Sequence, residues 1–200
     1  MQLENYYWCF HGAIPSRICD DIVEYGKQLK EETGVTWGYD KDNMTPNEQK
    51  KLEKQRSSNV VWMDPVWIYR ELHPLVHEAN ADAGWNFQWD FSEQCQFTKY
   101  VGSKKQHYDW HTDSGPRKNE NGKIRKISMT VALVDGSEYE GGDFEVNLNE
   151  PKKEAIHVIK PARVKGSVTI FPSFVWHRVT PVTSGTRYSL VNWHQGWPHT

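Results

Sequence analysis

Lys126-Ile127-Ser128-Met129-Thr130-Val131-Ala132-Leu133-Val134, closed by Asp135-Gly136, decides how this chain is read. A run rich in β-branched and aliphatic residues that ends on a turn signal describes a strand. Similar runs lie on both sides of it: Asn86–Phe91, Gln94–Val101 and His107–Trp110 before, and Asp143–Val146, Ile156–Ile159, Ser167–Phe171, His177–Thr180 and Arg187–Trp193 after. Turn signals fall at Gly141-Gly142, Lys165-Gly166 and Ser184-Gly185. Many short strands at this spacing predict a jelly roll, a cupin-like double-stranded β-helix. The earlier part of the chain reads as helical. Pro15-Ser16 opens a helix over Arg17–Glu32 that Gly34 would stop, and Asp64-Pro65 opens a second one reaching about Ala83. The predicted fold class is therefore α+β, mainly β with N-terminal helices. One domain is expected over 1–200, with helical support over about 1–84 and the β core over about 85–200.

The composition agrees with a packed core. Only 37% of the 200 residues are apolar, but the chain holds 10 Trp, 9 Tyr and 7 Phe, which argues against disorder. A net charge of −2 argues against a general nucleic-acid binder. No apolar run approaches the ~18 residues of a membrane span, and the first residues carry no basic-then-apolar signal, so a cytoplasmic location is expected. Cys9, Cys19 and Cys95 are odd in number and widely spaced, which fits a reducing compartment. The charge run from Lys50 to Arg56 reads as a solvated helix or a mobile loop. The polar stretches Gly38–Ser58 and Ser114–Lys123 are expected to be loops near the site.

His111-Thr112-Asp113 could grip one metal ion, because residues two apart on a strand share a face. His107-Tyr108-Asp109 matches the same pattern on the same face, so parity does not choose between the pairs. His177 begins a later strand 64 residues beyond Asp113, and Arg187 and Ser189 follow on another. Two histidines and a carboxylate form a facial triad that leaves open positions for a chelating co-substrate and dioxygen. A five-carbon 2-oxo diacid would chelate with one end and need a cation for the other, and the planar fork of arginine suits that carboxylate.

With these residues the chain resembles the 2-oxoglutarate- and Fe(II)-dependent oxygenases of the prolyl 4-hydroxylase type, in particular the PKHD-type hydroxylases. The resemblance runs from about Arg56 to Trp197. It is carried by Gln96–Gly102, Tyr108–Asp113, Tyr139–Phe144, Phe171–Ser173, His177–Val182, Gly185–Ser189 and Trp193–Gln195. In that family an aromatic residue sits three positions before the metal histidine. Tyr108 fills that place, which selects His111 and Asp113. The resemblance implies Fe(II) on His111, Asp113 and His177, 2-oxoglutarate on Arg187, Ser189 and Tyr100, dioxygen as oxidant, and ascorbate as a stimulant. It also implies hydroxylation rather than halogenation, since the carboxylate ligand is present. The substrate it implies is a peptidyl proline attacked at C4, with Arg56, Tyr108 and Trp193 on the substrate side. The alternative is a free amino acid or small metabolite. The expected partner is thus a peptide or small molecule, with neither nucleic acid nor membrane, and the oligomeric state is left open. Three rivals share parts of the pattern. AlkB-like demethylases place a second arginine six residues after the first, where this chain has Trp193. A cupin-type isomerase or lyase would not need Arg187, and a non-catalytic jelly-roll module would not need the triad.

Overall fold

The structure, a computed structural model, describes residues 3–36, 43–115, 118–148 and 155–198. Its elements in chain order are β1 (Trp8–Phe10), α1 (Ser16–Gln28), β2 (Glu32–Thr33), α2 (Pro46–Gln55), β3 (Arg56–Ser57), β4 (Asn59–Met63), α3 (Val66–Asp82), β5 (Phe91–Ser92), β6 (Cys95–Val101), β7 (His107–His111), β8 (Ile124–Ala132), β9 (Tyr139–Gly141), β10 (Phe144–Asn147), β11 (Ile156–Val158), β12 (Val168–Pro172), β13 (Trp176–Val179) and β14 (Val182–Gly196). They form two antiparallel sheets. The major sheet runs β1-β12-β8-β14-β6-β4-β2, with β5 and β9 also pairing with β14. The minor sheet runs β11-β10-β13-β7-β3.

Alternation along β8 explains the layering. Ile127, Met129 and Val131 are fully buried in one cluster with Ile22 of α1 and with Ile68, Leu72 and Val76 of α3. Burying each such side chain stabilises the fold by ~1.5–3 kcal/mol. Ser128 and Thr130 point the other way, between the sheets. A second cluster fills part of that space: Tyr100 and Phe171 from the major sheet, and Phe144, Val146 and Val179 from the minor one. The polar remainder of the space is the candidate site.

The jelly roll is as expected, and several local expectations are corrected. Asn86–Phe91 is not a strand, and only Phe91–Ser92 pairs, with β14. The Asn80 side chain on α3 accepts from Phe87 N and donates to Phe87 O, both at 2.9 Å, so it takes the backbone groups a ladder would use. The first helix ends at Gln28, because Glu32 and Thr33 pair with Val60 and Asn59 of β4. Gly34 therefore stops no helix. Its N–H donates to Ser58 O at 2.9 Å, and a Cβ there would lie 2.7 Å from Arg56 Nε, so glycine permits a close approach of backbone to Arg56. Ser184-Gly185 is a bulge inside β14 rather than a turn between strands. Gly185 takes φ +69°, the register shifts between Val182 and Ser184, and the strand continues for 15 residues.

The first 84 residues are more than helical support, since β1 extends one edge of the major sheet on β12 and β4 extends it on β6. The charge run lies mostly on α2, which starts with a capping box between Thr45 and Glu48. Parts of the two polar stretches, 38–42 and 116–117, lie outside the described residues. Cys9, Cys19 and Cys95 are unpaired. Among the described residues no helix is long and apolar enough to cross a membrane.

Candidate metal centre

β7 and β13 lie side by side with His111 directly opposite His177. The strand ends at His111, so Asp113 does not share its strand face as expected; it follows in a bend. What brings it back is Ser173, whose carbonyl accepts from both Asp113 N and Ser114 N at 2.9 Å, while its hydroxyl meets Ser128 Oγ at 2.9 Å. His111 Nε2 then lies 3.7 Å from Asp113 Oδ1, and His177 Nε2 lies 3.5 Å from Asp113 Oδ2. The three donor atoms fall within 4.8 Å of one another.

The second nitrogen of each ring is already used. His111 Nδ1 meets Asp109 O at 2.8 Å, and His177 Nδ1 meets Val175 O at 2.9 Å. A carbonyl only accepts, so each Nδ1 carries the proton and each Nε2 presents a lone pair. Burial, with the neighbouring His177, holds the His111 pKa well below its ordinary value, so the ring is neutral at pH 7. Burial pushes the Asp113 carboxyl upward, but His177, His111, Arg125 and a Ser128 hydrogen bond outweigh it and bring it to about 2. A carboxylate and two imidazoles form a donor set that fits a divalent transition metal. The rival pair is not arranged this way. Both ring nitrogens of His107 face carbonyls, of Lys105 and Lys54, and Asp109 is exposed and accepts from Trp110 N.

Behind the triad stands Arg187. It is opposite Tyr100 in the β14–β6 ladder, is 3% exposed, and donates from Nη1 to Ser189 Oγ at 3.1 Å. Among the described residues no carboxylate lies within 4.0 Å of it. Two other basic residues on these sheets are already engaged: Lys99 pairs with Glu31 and Arg178 with Glu145. A buried guanidinium without an acid is costly unless an anion joins it. Tyr100, Ser189, Arg56, Tyr108 and Trp193 line the same pocket. Trp110 and Trp176 do not, and Trp110 lies instead beneath Arg178, whose Cζ is 4.7 Å from the ring. His194 and exposed His157 do not line this pocket.

Several lining residues were not anticipated. Gln96 and Thr98 stand four and two positions before Tyr100 on β6, so strand parity alone could have found them. Arg125, which does not line the pocket but helps to lower the Asp113 pKa, had no comparable signal. It sits where the β14–β8 register shifts, is gripped by both Glu93 oxygens at 2.6 and 2.5 Å, and lies over Trp193 at 3.9 Å.

A family model for the 2OG-Fe(II) oxygenase superfamily matches residues 95–195, just over half of the chain. The chain belongs to this superfamily. Its name carries the cofactors, Fe(II) and 2-oxoglutarate with dioxygen, and the donor set suits them. A PKHD-type hydroxylase of Synechococcus sp. (strain CC9311) is 31% identical over 136 residues, 65% of this chain and 56% of the relative. The chain spans about half the length of the curated relatives it matches. Among solved oxygenases, a Pseudomonas putida prolyl-4-hydroxylase superposes with TM-score 0.66 at 18% identity, covering 98% of this chain and 95% of that one. A Trichoplax adhaerens prolyl hydroxylase, solved with a hypoxia inducible factor peptide fragment, gives 0.68 at 18% identity, covering 96% and 84%. At such identities the likeness is one of fold.

Proposed function

We propose that this oxygenase is a hydroxylase of an unactivated C–H bond, using Fe(II) held by His111, Asp113 and His177 and 2-oxoglutarate anchored by Arg187. The observation that carries this reading is the buried, acid-free Arg187 standing in one pocket with the three convergent donors. When bound, the metal supplies dioxygen activation coupled to decarboxylation of 2-oxoglutarate to succinate and CO2. His111 and His177 contribute their Nε2 atoms, and Asp113 contributes the negative charge. Arg187, with the Ser189 and Tyr100 hydroxyls, holds the far carboxylate. Phe144, Phe171 and Val179 exclude water from the metal side of the pocket. Residues 1–200 act as one oxygenase domain in this reading. The three unpaired cysteines support a reducing, cytoplasmic setting.

The substrate in this proposal is a peptidyl proline, hydroxylated at C4. Asp113 is the one carboxylate among the lining residues, and the ligand set uses it. A free amino acid would bring an ammonium with no second acid to meet it, whereas an acylated nitrogen brings no charge. Trp193 Nε1 is buried, lacks a hydrogen-bond partner among the described residues, and can donate to a backbone carbonyl of a peptide. The peptide bound to the Trichoplax relative agrees with this class. The test is succinate release with Fe(II), ascorbate and 2-oxoglutarate, comparing proline-rich peptides with free proline and no substrate. Stimulation by peptides, with a +16 product by mass spectrometry, is expected. Stimulation by free proline or a small metabolite alone would remove the peptidyl substrate and keep the oxygenase.

A further inference from the structure

Arg56 lines the pocket, where the protein itself takes up its guanidinium. It is 5% exposed, and each guanidinium nitrogen meets a protein acceptor. Nε donates to Ser58 Oγ at 2.9 Å, Nη1 to Val35 O at 3.1 Å, and Nη2 to Gln96 Oε1 at 2.7 Å. Its Cζ lies 4.5 Å from the centre of the Tyr108 ring, which it opposes in the β3–β7 ladder. Tyr108 in turn lies almost parallel to the His111 imidazole, with ring centres 3.5 Å apart and planes 11° apart. Two groups at these distances cannot share one face of a phenol ring, so the three form a column with Tyr108 in the middle. The guanidinium is fixed by three hydrogen bonds, and the tyrosine is pressed between it and the metal ligand.

An imidazole has two side-chain torsions to settle before its nitrogen can be aimed. The Nδ1 bond to Asp109 O restrains one direction, and a flat stack restrains the plane of the ring. His177 has its own carbonyl but only tilted rings beside it, Phe171 at 57° and Phe144 at 46°. We propose that Arg56 and Tyr108 are positioning residues that preset the His111 imidazole for metal binding. The inference rests on the metal reading of the triad. It gives residues ahead of the family-matched region a share in metal affinity, since Arg56 belongs to β3 and its Val35 partner to the loop after β2. Gly34 belongs to the same device, because a Cβ at that position would lie 2.7 Å from Arg56 Nε.

The test is an anaerobic titration of the full chain with Co(II), read by visible absorption, which reports both affinity and coordination geometry. Tyr108→Phe keeps the ring and should bind Co(II) within about twofold of the parent, with the same bands. Tyr108→Leu removes the flat face and should bind at least ~10-fold more weakly with altered bands, the range seen when groups that orient metal ligands are lost. Arg56→Lys keeps the charge without the fork and should weaken binding by ~3-fold or more. Circular dichroism of the metal-free proteins separates these effects from misfolding. Parent-like affinity and bands in Tyr108→Leu would overturn the proposal, and so would equal losses in Tyr108→Phe and Tyr108→Leu, which would assign the effect to the hydroxyl. If Tyr108→Leu does not fold, Arg56→Lys decides: a parent-like titration overturns the column. A parent that binds no Co(II) overturns the metal reading itself, and the column with it.

Discussion

Two groups of histidines, each with one buried member, His177 or His194, lie on opposite faces of the major sheet. Between the sheets are His111 and His177. On the helix side, His194 of β14 meets His73 and His77 of α3 around Trp89, with ring centres 4.6, 5.6 and 4.7 Å from that indole. There the Ser92 hydroxyl bridges His73 Nε2 and His194 Nδ1 at 2.9 Å each, and His194 Nε2 is buried without a partner among the described residues. Burial, then His73 and His77, pulls His194 down to about 3, so it is neutral. The difference lies in the second nitrogen and in the anion. Where a backbone carbonyl takes Nδ1–H and a carboxylate converges, Nε2 is placed to serve as a ligand. Where a hydroxyl and aromatic faces surround the ring, histidine is packing.

The largest expected effect tests that distinction directly. Asp113→Ala should weaken Co(II) binding by at least ~100-fold, because a ligand is worth more than the ~10–100-fold of the groups that orient one. His194→Ala should leave the same titration unchanged. A metal-binding loss in His194→Ala would mean the two histidine groups are not independent. Next comes Arg187→Ala. Removing one partner of a buried charged pair costs ~2–5 kcal/mol, so the 2-oxoglutarate requirement should rise at least ~30-fold. An unchanged requirement would show that another group holds the far carboxylate.

Stability separates the groups in the other direction. His194→Ala leaves a cavity beneath α3 and should cost ~2 kcal/mol or more in denaturant unfolding of the metal-free protein. A cost within ~0.5 kcal/mol would show that the ring is not tightly packed. Acid should act through the same residue. The folded His194 value, about 3, lies below the ordinary 6.5, so the unfolded chain takes up the proton first. Its contribution is complete above pH 6.5 and is lost as pH falls from there toward 3. Thermal melts of the metal-free parent should therefore drop across that window more steeply than those of His194→Ala; parallel curves would contradict this. The smallest effect is expected at Trp62, 42% exposed beside Trp193. Trp62→Ala should change stability by no more than ~0.5 kcal/mol, and a larger loss would mark it as part of the packing.

The triad and Arg187 were legible because four chemically demanding residues recur in one order, which chance and packing do not require. Parity could not separate His111/Asp113 from His107/Asp109, since both pairs offered the same strand face. What separates them is where Lys54 O and Ser173 O lie, and those positions come from distant segments. Arg56 was legible as a motif, but its direction was not, because Gln96 and Val35 reach it only after β4, β6 and the loop after β2 have assembled. The missed loop at 86–90 has the same cause: Asn80 acts across a helix end that a local reading does not connect to it.

The long strand β14 has a consequence for synthesis. Each strand it pairs with, β5, β6, β8 and β9, comes before it in the chain. Until it emerges, β1-β12-β8 and β6-β4-β2 are two half-sheets with open edges facing each other. Unpaired edges of this kind invite neighbouring chains. Until β14 is made, a ribosome synthesising this chain thus holds an unsealed sheet. Closure and the delivery of Arg187 to its pocket are one event, so a nascent chain would acquire its proposed anion anchor only as its aggregation-prone edges disappear.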